Sequence, residues 1–169
     1  GADGLTIKDV KFNAEWADVA YNKKTGAANR YANILTGTND NNPNKGARNL
    51  VIDGCTFTGK NNGYGSAIAF VDQGRGSGQS GNITITRCHF ETENAYDIYG
   101  YYFGYGDLKI ENNTFNSTLL GEAISLYNYQ SGTAVIVKDN NFAKFSTADA
   151  AMYIKDHSSY GVSFDATNN

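Results

Sequence analysis

Aliphatic and polar residues alternate in a short motif that recurs six times along the chain. Each copy consists of an aliphatic residue, any residue, an aliphatic residue, two of any kind, a small or polar residue, any residue, and phenylalanine. The copies begin at positions 5, 50, 83, 108, 135 and 162, so the steps are 45, 33, 25, 27 and 27 residues. Such self-similarity is typical of stacked repeat proteins, in which each unit buries its apolar face on its neighbours. Alternation with period two predicts β-strands.

The phenylalanine of each copy is expected to point into the core and to stack on the next one. The five residues of this column are Phe12, Phe57, Phe90, Phe115 and Phe142. The sixth copy is expected at Val162, Phe164 and Thr167. It is cut off at Asn169, the position where its phenylalanine would fall. If the rings form one interior row, each coil contributes one ring.

A second short strand is predicted after each phenylalanine, so that each coil holds at least two strands. Its expected inward residues are Ile68, Ile98, Ile124 and Met152. Alternation then places two columns on the outer face. The first outer column is Ala69, Tyr99, Ser125 and Tyr153. The second outer column is Val71, Tyr101, Tyr127 and Lys155.

Copies such as NLVIDGCTFTG, NITITRCHFET and DLKIENNTFNS resemble the right-handed parallel β-helix of the pectin lyase-like superfamily. The resemblance covers nearly the whole chain from Gly4 onward. It implies an all-β fold, a right-handed parallel β-helix solenoid of about six coils, in a single domain spanning residues 1–169. It also implies an inward asparagine ladder that includes Asn113 and Asn140. Because the chain starts directly in one repeat and stops inside another, we expect a piece of a longer secreted or cell-surface protein, of bacterial origin.

Composition narrows the range of partners. The formal charge is −3, which gives no reason to expect nucleic acid or an anionic membrane. No apolar run approaches membrane-spanning length, so the chain is not expected to be embedded in a membrane. Cys55 and Cys88 share one position in successive copies, about 4.8 Å apart if the copies stack. They could form a disulfide or a metal pair, but packing as small inward hydrophobes is favoured.

Three stretches interrupt the repeat, at residues 13–30, 36–49 and 74–81. Long loops on a rigid scaffold often carry binding function, although they are equally often without one. The run 39–42, Asn-Asp-Asn-Asn, could offer oxygens to calcium. It contains one carboxylate only, so a turn is the favoured interpretation and no cofactor is expected.

Tyrosines dominate the predicted outer face. Tyr99, Tyr101, Tyr127 and Tyr153 are expected to form a contiguous surface, flanked by Tyr102 and Tyr129 in the adjoining turns. A tyrosine ring offers an apolar plane with a polar tip, which suits sugar rings or a flat protein partner. We therefore expect a polysaccharide or surface glycan as ligand, in an adhesin-like module. The alternative is a ladder of aromatic residues that only stabilises the sheet.

Catalysis by this chain has weaker support in the sequence. The candidates are Lys155, Asp156 and His157, with Arg75 as a neighbour. Glycoside hydrolysis usually needs two carboxyl groups about 5–10 Å apart, and Asp72 and Asp156 are expected to lie three coils from each other. A polysaccharide lyase or glycosidase fragment is the second hypothesis. A structural spacer without a ligand is the third, and open strand edges would permit end-to-end self-association.

Overall fold

The computed structural model describes residues 3–13, 32–38, 46–60, 65–72, 80–101, 105–118, 121–127, 133–144, 150–155 and 163–169. Within these ranges the chain forms sixteen strands and no helix. Strands are numbered β1 to β16 in chain order. Each strand from β1 to β13 pairs in parallel with the strand three places further along the chain.

The strands form three parallel sheets. The first sheet contains β1 (Thr6–Lys8), β4 (Val51–Asp53), β7 (Gly81–Thr86), β10 (Tyr105–Glu111), β13 (Ala134–Lys138) and β16 (Ser163–Thr167). The second sheet contains β2 (Lys11–Asn13), β5 (Thr56–Lys60), β8 (His89–Glu93), β11 (Thr114–Asn116) and β14 (Asn141–Lys144). The third sheet contains β3 (Ala32–Thr38), β6 (Ser66–Asp72), β9 (Tyr96–Tyr101), β12 (Ile124–Tyr127) and β15 (Met152–Lys155). The chain is therefore a parallel β-helix, as the sequence predicts.

The core is built from columns of identical or similar side chains. In the middle of the first sheet, Ile52 pairs with Ile85, Ile85 with Ile110, and Ile110 with Val137. All four are fully buried. Strand alternation explains this arrangement, because residues two apart point to the same face and equivalent residues of successive coils stack about 4.8 Å apart.

The phenylalanine column lies inside the second sheet and confirms the prediction of one ring per coil. Neighbouring rings are 4.8–5.0 Å apart, with planes within 4–7° of parallel. Phe57, Phe90 and Phe115 are fully buried, and the two end rings pack against the same cluster. Stacking in register gives every interior ring an aromatic contact on both faces.

A left-handed residue bends each coil from the first sheet into the second. The column comprises Asp9, Gly54, Arg87, Asn112, Asp139 and Asn168, with φ angles of 53–64°. Asparagine, aspartate and glycine tolerate this conformation best, and they supply five of the six residues of this column. At Gly54 a Cβ would lie 2.5 Å from the carboxylate of Asp9, which would have to move to make room for it. Arg87 is the unusual member, and its Nε donates to Asp53 Oδ1 at 2.8 Å.

An asparagine ladder follows the bend, as the resemblance implies. Asn113 Nδ2 donates to the carbonyl of Ile85 at 3.0 Å, and Asn113 Oδ1 accepts from the backbone N–H of Cys88 at 2.9 Å. Asn140 and Asn169 make the equivalent pair of bonds on the following coils. In each of these coils, one asparagine side chain therefore bonds both a backbone N–H and a backbone carbonyl. These groups lie at the bend, where the sheets do not pair them.

Cysteines occupy the same position on the two preceding coils. The thiols of Cys55 and Cys88 lie 3.6 and 3.7 Å from the carbonyl oxygens of Ile7 and Ile52, the equivalents of those the asparagines bind. Both cysteines are free and buried. Burial raises the pKa of Cys88 to about 12. The two residues therefore behave as inward packing groups with weak donors, the interpretation that the sequence favoured.

The last copy of the motif is displaced by two residues from its predicted position. Phe164, not Val162, pairs with Val135. Asn169 rather than Thr167 therefore reaches the ladder position and accepts from the backbone of Asn140. The displaced register is favoured because an amide accepts through one atom and donates through another, whereas a threonine hydroxyl has one oxygen for both.

Strand β3 was not predicted, because it lies between two stretches that interrupt the repeat. It pairs with β6, placing Ile34 opposite Ile68. The two large aliphatic residues of β3, Ile34 and Leu35, are adjacent in sequence and so give no alternation signal. The interruption expected at 36–49 consequently begins inside a strand.

Positions that are buried in the middle coils are exposed at both ends of the described solenoid. Leu5 and Val10 are exposed on the first coil, and Phe164 on the last. Apolar side chains beside unpaired strand edges favour association with another chain. End-to-end self-association stays a prediction.

Candidate functional site

The outer face of the third sheet carries the two columns that the sequence predicts. In the first, Ala69 pairs with Tyr99, Tyr99 with Ser125, and Ser125 with Tyr153. In the second, Tyr127 pairs with Lys155. The register follows from the inward isoleucines, because their burial fixes which residues of each strand face out.

Four tyrosine rings form a continuous diagonal line across this face. The ring centroids are 5.2 Å apart between Tyr96 and Tyr99, 5.8 Å between Tyr99 and Tyr127, and 5.3 Å between Tyr127 and Tyr153. Neighbouring planes are tilted by 40–47°. Diagonal neighbours on adjacent strands are within reach of aromatic side chains, so the line spans three coils. We name these four residues the tyrosine run.

Exposure is lowest at Tyr99 and increases from there along the tyrosine run towards Tyr153. Tyr99 is only 7% exposed, Tyr96 and Tyr127 are half-buried, and Tyr153 is 41% exposed. Burial raises the pKa of Tyr96, with further contributions from Tyr127 and Glu122. Tyr99 differs from the expectation of an exposed ring because it packs in a small outer cluster with Tyr96 and Tyr127. A ligand on this face would meet Tyr153 and Tyr127.

Three of the predicted ligand-binding tyrosines are not placed by the structure. Tyr102 and Tyr129 lie outside the described residues, and so does the side chain of Tyr101. The backbone of Tyr101 is described and pairs with Tyr127 in the second outer column. Tyr96, which the sequence analysis did not include, takes part in the surface instead. Period-two alternation would place a residue two before the inward Ile98 on the inner face, so the sequence pattern gives no signal for Tyr96.

A buried hydroxyl without a partner lies among the tyrosine rings. Ser125 sits between Tyr99 and Tyr153 in the first outer column, and its side chain is fully buried. Its Oγ makes no hydrogen bond to any other described residue. Such a hydroxyl costs about 1–3 kcal/mol of stability. Ala69 fills the same column on another coil and carries no polar atom there.

Replacing Ser125 with alanine is therefore expected to raise the free energy of unfolding by about 1 kcal/mol. Urea denaturation at fixed pH measures the change. Ser117→Ala is the matched control, since Ser117 is equally buried but its hydroxyl donates to Asp97 at 2.9 Å. The control should destabilise the protein, and a stabilising effect of both substitutions, or of neither, would contradict the assignment.

The catalytic candidates are not brought together in the described part of the chain. Lys155 is exposed at the end of β15. Asp156, His157 and Arg75 lie outside the described residues, as does the run at 39–42 that could offer oxygens to calcium. Among the described residues, no group of three histidine, cysteine, aspartate or glutamate side chains could hold a metal ion.

One carboxylate that the sequence analysis did not single out is buried in the fold. Asp97 begins the inward part of β9 and is completely inaccessible to solvent. Its Oδ1 accepts hydrogen bonds from Thr92 Oγ1 at 2.8 Å and from Ser117 Oγ at 2.9 Å. Its Oδ2 has no hydrogen-bond partner among the described residues. The sequence contains one signal for it. The residue before the inward isoleucine is alanine on the two neighbouring coils, at Ala67 and Ala123, but aspartate on this one.

Comparison with protein-family models, with curated proteins and with solved structures found no match to this chain. A search of the described residues for helices able to cross a membrane also found none.

Proposed function

We propose that this chain is a non-catalytic β-helix module, related to the pectin lyase-like superfamily, of a secreted or cell-surface protein. In this proposal it binds a polysaccharide or surface glycan through the tyrosine run. The observation that supports it is the line of ring contacts that ends at the exposed ring of Tyr153. Aromatic rings beside a hydroxyl-rich ligand bury its apolar faces while the phenolic oxygens stay available for hydrogen bonds.

The order of burial along the run suits a binding surface on a rigid base. Tyr99 is fixed by packing on the sheet, and Tyr127 leans on it with a centroid distance of 5.8 Å. Tyr153 then extends the surface by one coil. Rings held in place by their neighbours lose little conformational freedom when a ligand binds, which favours affinity.

The tyrosine run also contains the features of a purely structural ladder, because its rings contact one another. The two interpretations differ in what the exposed end does. A ladder needs the buried members most, whereas a binding surface needs Tyr127 and Tyr153. The test therefore uses the exposed end.

Tyr153→Ala combined with Tyr127→Ala is expected to weaken glycan binding about a hundredfold, as for paired aromatic anchors. Calorimetry on a hit from an array of acidic and neutral polysaccharides, including polygalacturonate, xylan and β-glucan, measures it. Leu35→Ala is the matched control. Leu35 is in register with Ala69 in the first outer column and is 47% exposed, but it lies outside the tyrosine run.

Unchanged binding together with a large loss of stability in the double variant would support the structural ladder instead. An array on which the wild-type chain binds nothing would favour a spacer. Release of reducing ends or unsaturated uronates by the wild-type chain would favour the hydrolase or lyase hypothesis, with Lys155 as the first residue to replace.

A further inference from the structure

Three polar side chains meet at the corner where the second sheet turns into the third. Thr92 lies on β8 of the third coil, and Ser117 follows β11 of the fourth. Both are buried, two residues after a phenylalanine of the stacked column. Asp97 of β9 binds both hydroxyls through the same oxygen. Ser117 Oγ also accepts from the backbone N–H of Thr92 at 3.0 Å, so the group ties two coils and two sheets together.

Among the described residues, no positive charge contacts Asp97. The lysine of the strand that pairs with β8, Lys60, is exposed and pairs with Glu93 at 2.9 Å. The residues next to Asp97 on β9 pair with residues of β6 and β12, and this register places Asp97 beside Ala67 and Ala123. Both alanines are fully buried. The ionisable residues of β8, His89, Glu91 and Glu93, alternate with the inward residues and face away. The remaining ionisable groups on the elements around it are Asp72 at the far end of β6, Glu122 before β12, and the tyrosines 96, 99, 101 and 127.

We propose that Asp97 is a pH-sensitive lock, whose neutral carboxylic acid holds the third and fourth coils together and whose ionised form loosens this corner. The geometry supports this proposal: a completely buried carboxyl with hydroxyl donors on one oxygen, and no described partner on the other, is a poor site for a charge. A buried ion without a counter-ion costs several kcal/mol, so the group keeps its proton instead.

The direction of the pH effect follows from the two states of the chain. Burial raises the pKa of Asp97 from 3.8 to about 7, an effect that the hydrogen bonds from Thr92 and Ser117 reduce. The folded chain therefore holds one more proton than the unfolded chain between these two pH values. The stabilisation from the protonated group is fully present below about pH 4 and is lost as the pH rises through about 7. Asp97 therefore contributes most to stability in acidic surroundings, whether or not the tyrosine run binds a glycan.

The test compares urea unfolding of the full chain and of Asp97→Asn at pH values from 4.5 to 8. Below pH 7, the unfolding equilibrium constant of the wild type is expected to rise with pH more steeply than that of the variant. The difference is about tenfold per pH unit, because unfolding of the wild type releases one additional proton. The difference should level off above pH 7. Equal pH slopes for the two proteins would overturn the proposal.

Asp165→Asn is the matched control, because Asp165 is partly exposed and pairs with Lys138 at 2.7 Å. Its pH slope should resemble that of the wild type more closely than that of Asp97→Asn. A second measurement does not depend on any variant: the side-chain carboxyl carbon of Asp97, followed by NMR in the folded wild type, is expected to titrate near pH 7. Titration near the ordinary value of about 4 would overturn the proposal even if Asp97→Asn did not fold.

Discussion

Replacing Phe90 with alanine is expected to lower the free energy of unfolding by about 3–5 kcal/mol. Phe90 is fully buried and has a parallel ring on each side, at centroid distances of 4.9 and 4.8 Å. The substitution removes the buried ring and both stacking contacts, and the neighbouring rings cannot close the gap because their strands are fixed by the sheet. Urea denaturation measures the loss.

Phe142→Ala is the control from the same column. Phe142 is half-buried and stacks on Phe115 at 4.8 Å at the end of the described row. Its replacement is expected to cost about half as much as that of Phe90, since less ring area leaves the core. A cost at Phe142 equal to or larger than the cost at Phe90 would contradict the arrangement of one continuous row.

Replacing Asn113 with alanine is the second substitution with a large expected effect, about 2–6 kcal/mol. It leaves the backbone N–H of Cys88 without its acceptor and the carbonyl of Ile85 without its donor. Both groups are buried, and each unpaired group costs about 1–3 kcal/mol. The free energy of unfolding from urea denaturation gives the magnitude.

Asn113→Cys tests whether the ladder position needs an amide or only a donor. The thiols of Cys55 and Cys88 already lie near the equivalent carbonyls of the two preceding coils. The cysteine variant should therefore be more stable than the alanine variant, although less stable than the wild type, because a thiol is a weak donor. Equal stability of the two variants would mean that the side chain at this position serves only to fill space.

The inward columns could be predicted from the sequence because they depend on local pattern alone. Alternation with period two identifies the strands of the first sheet, and a phenylalanine at a constant distance identifies the second. The isoleucines at 68, 98 and 124 then orient the third sheet, which places Tyr99 and Tyr127 on its outer face. Each step needs only the residues of one coil and the assumption that coils repeat.

The remaining features depend on contacts between coils. The last copy is displaced because Asn169 completes the asparagine ladder, a preference that no single coil reveals. Tyr99 is buried because Tyr96 and Tyr127 pack around it from neighbouring positions. Asp97 is conspicuous only once Thr92 and Ser117 are known to meet it at the corner. Sequence pattern determines the columns, whereas burial of individual polar and aromatic groups is decided by the side chains of adjacent coils.

The arrangement that supports every proposal is the in-register stacking of one phenylalanine per coil, which sets the positions of the tyrosine run and of Asp97. Nuclear Overhauser contacts between the rings of a sample labelled only at phenylalanine test it most directly. The expected result is a series of ring contacts in the order Phe12, Phe57, Phe90, Phe115 and Phe142. Among these five rings, each should contact only the one before it and the one after it. Absence of those contacts, or contacts between rings that are not consecutive, would contradict the stacked parallel coil.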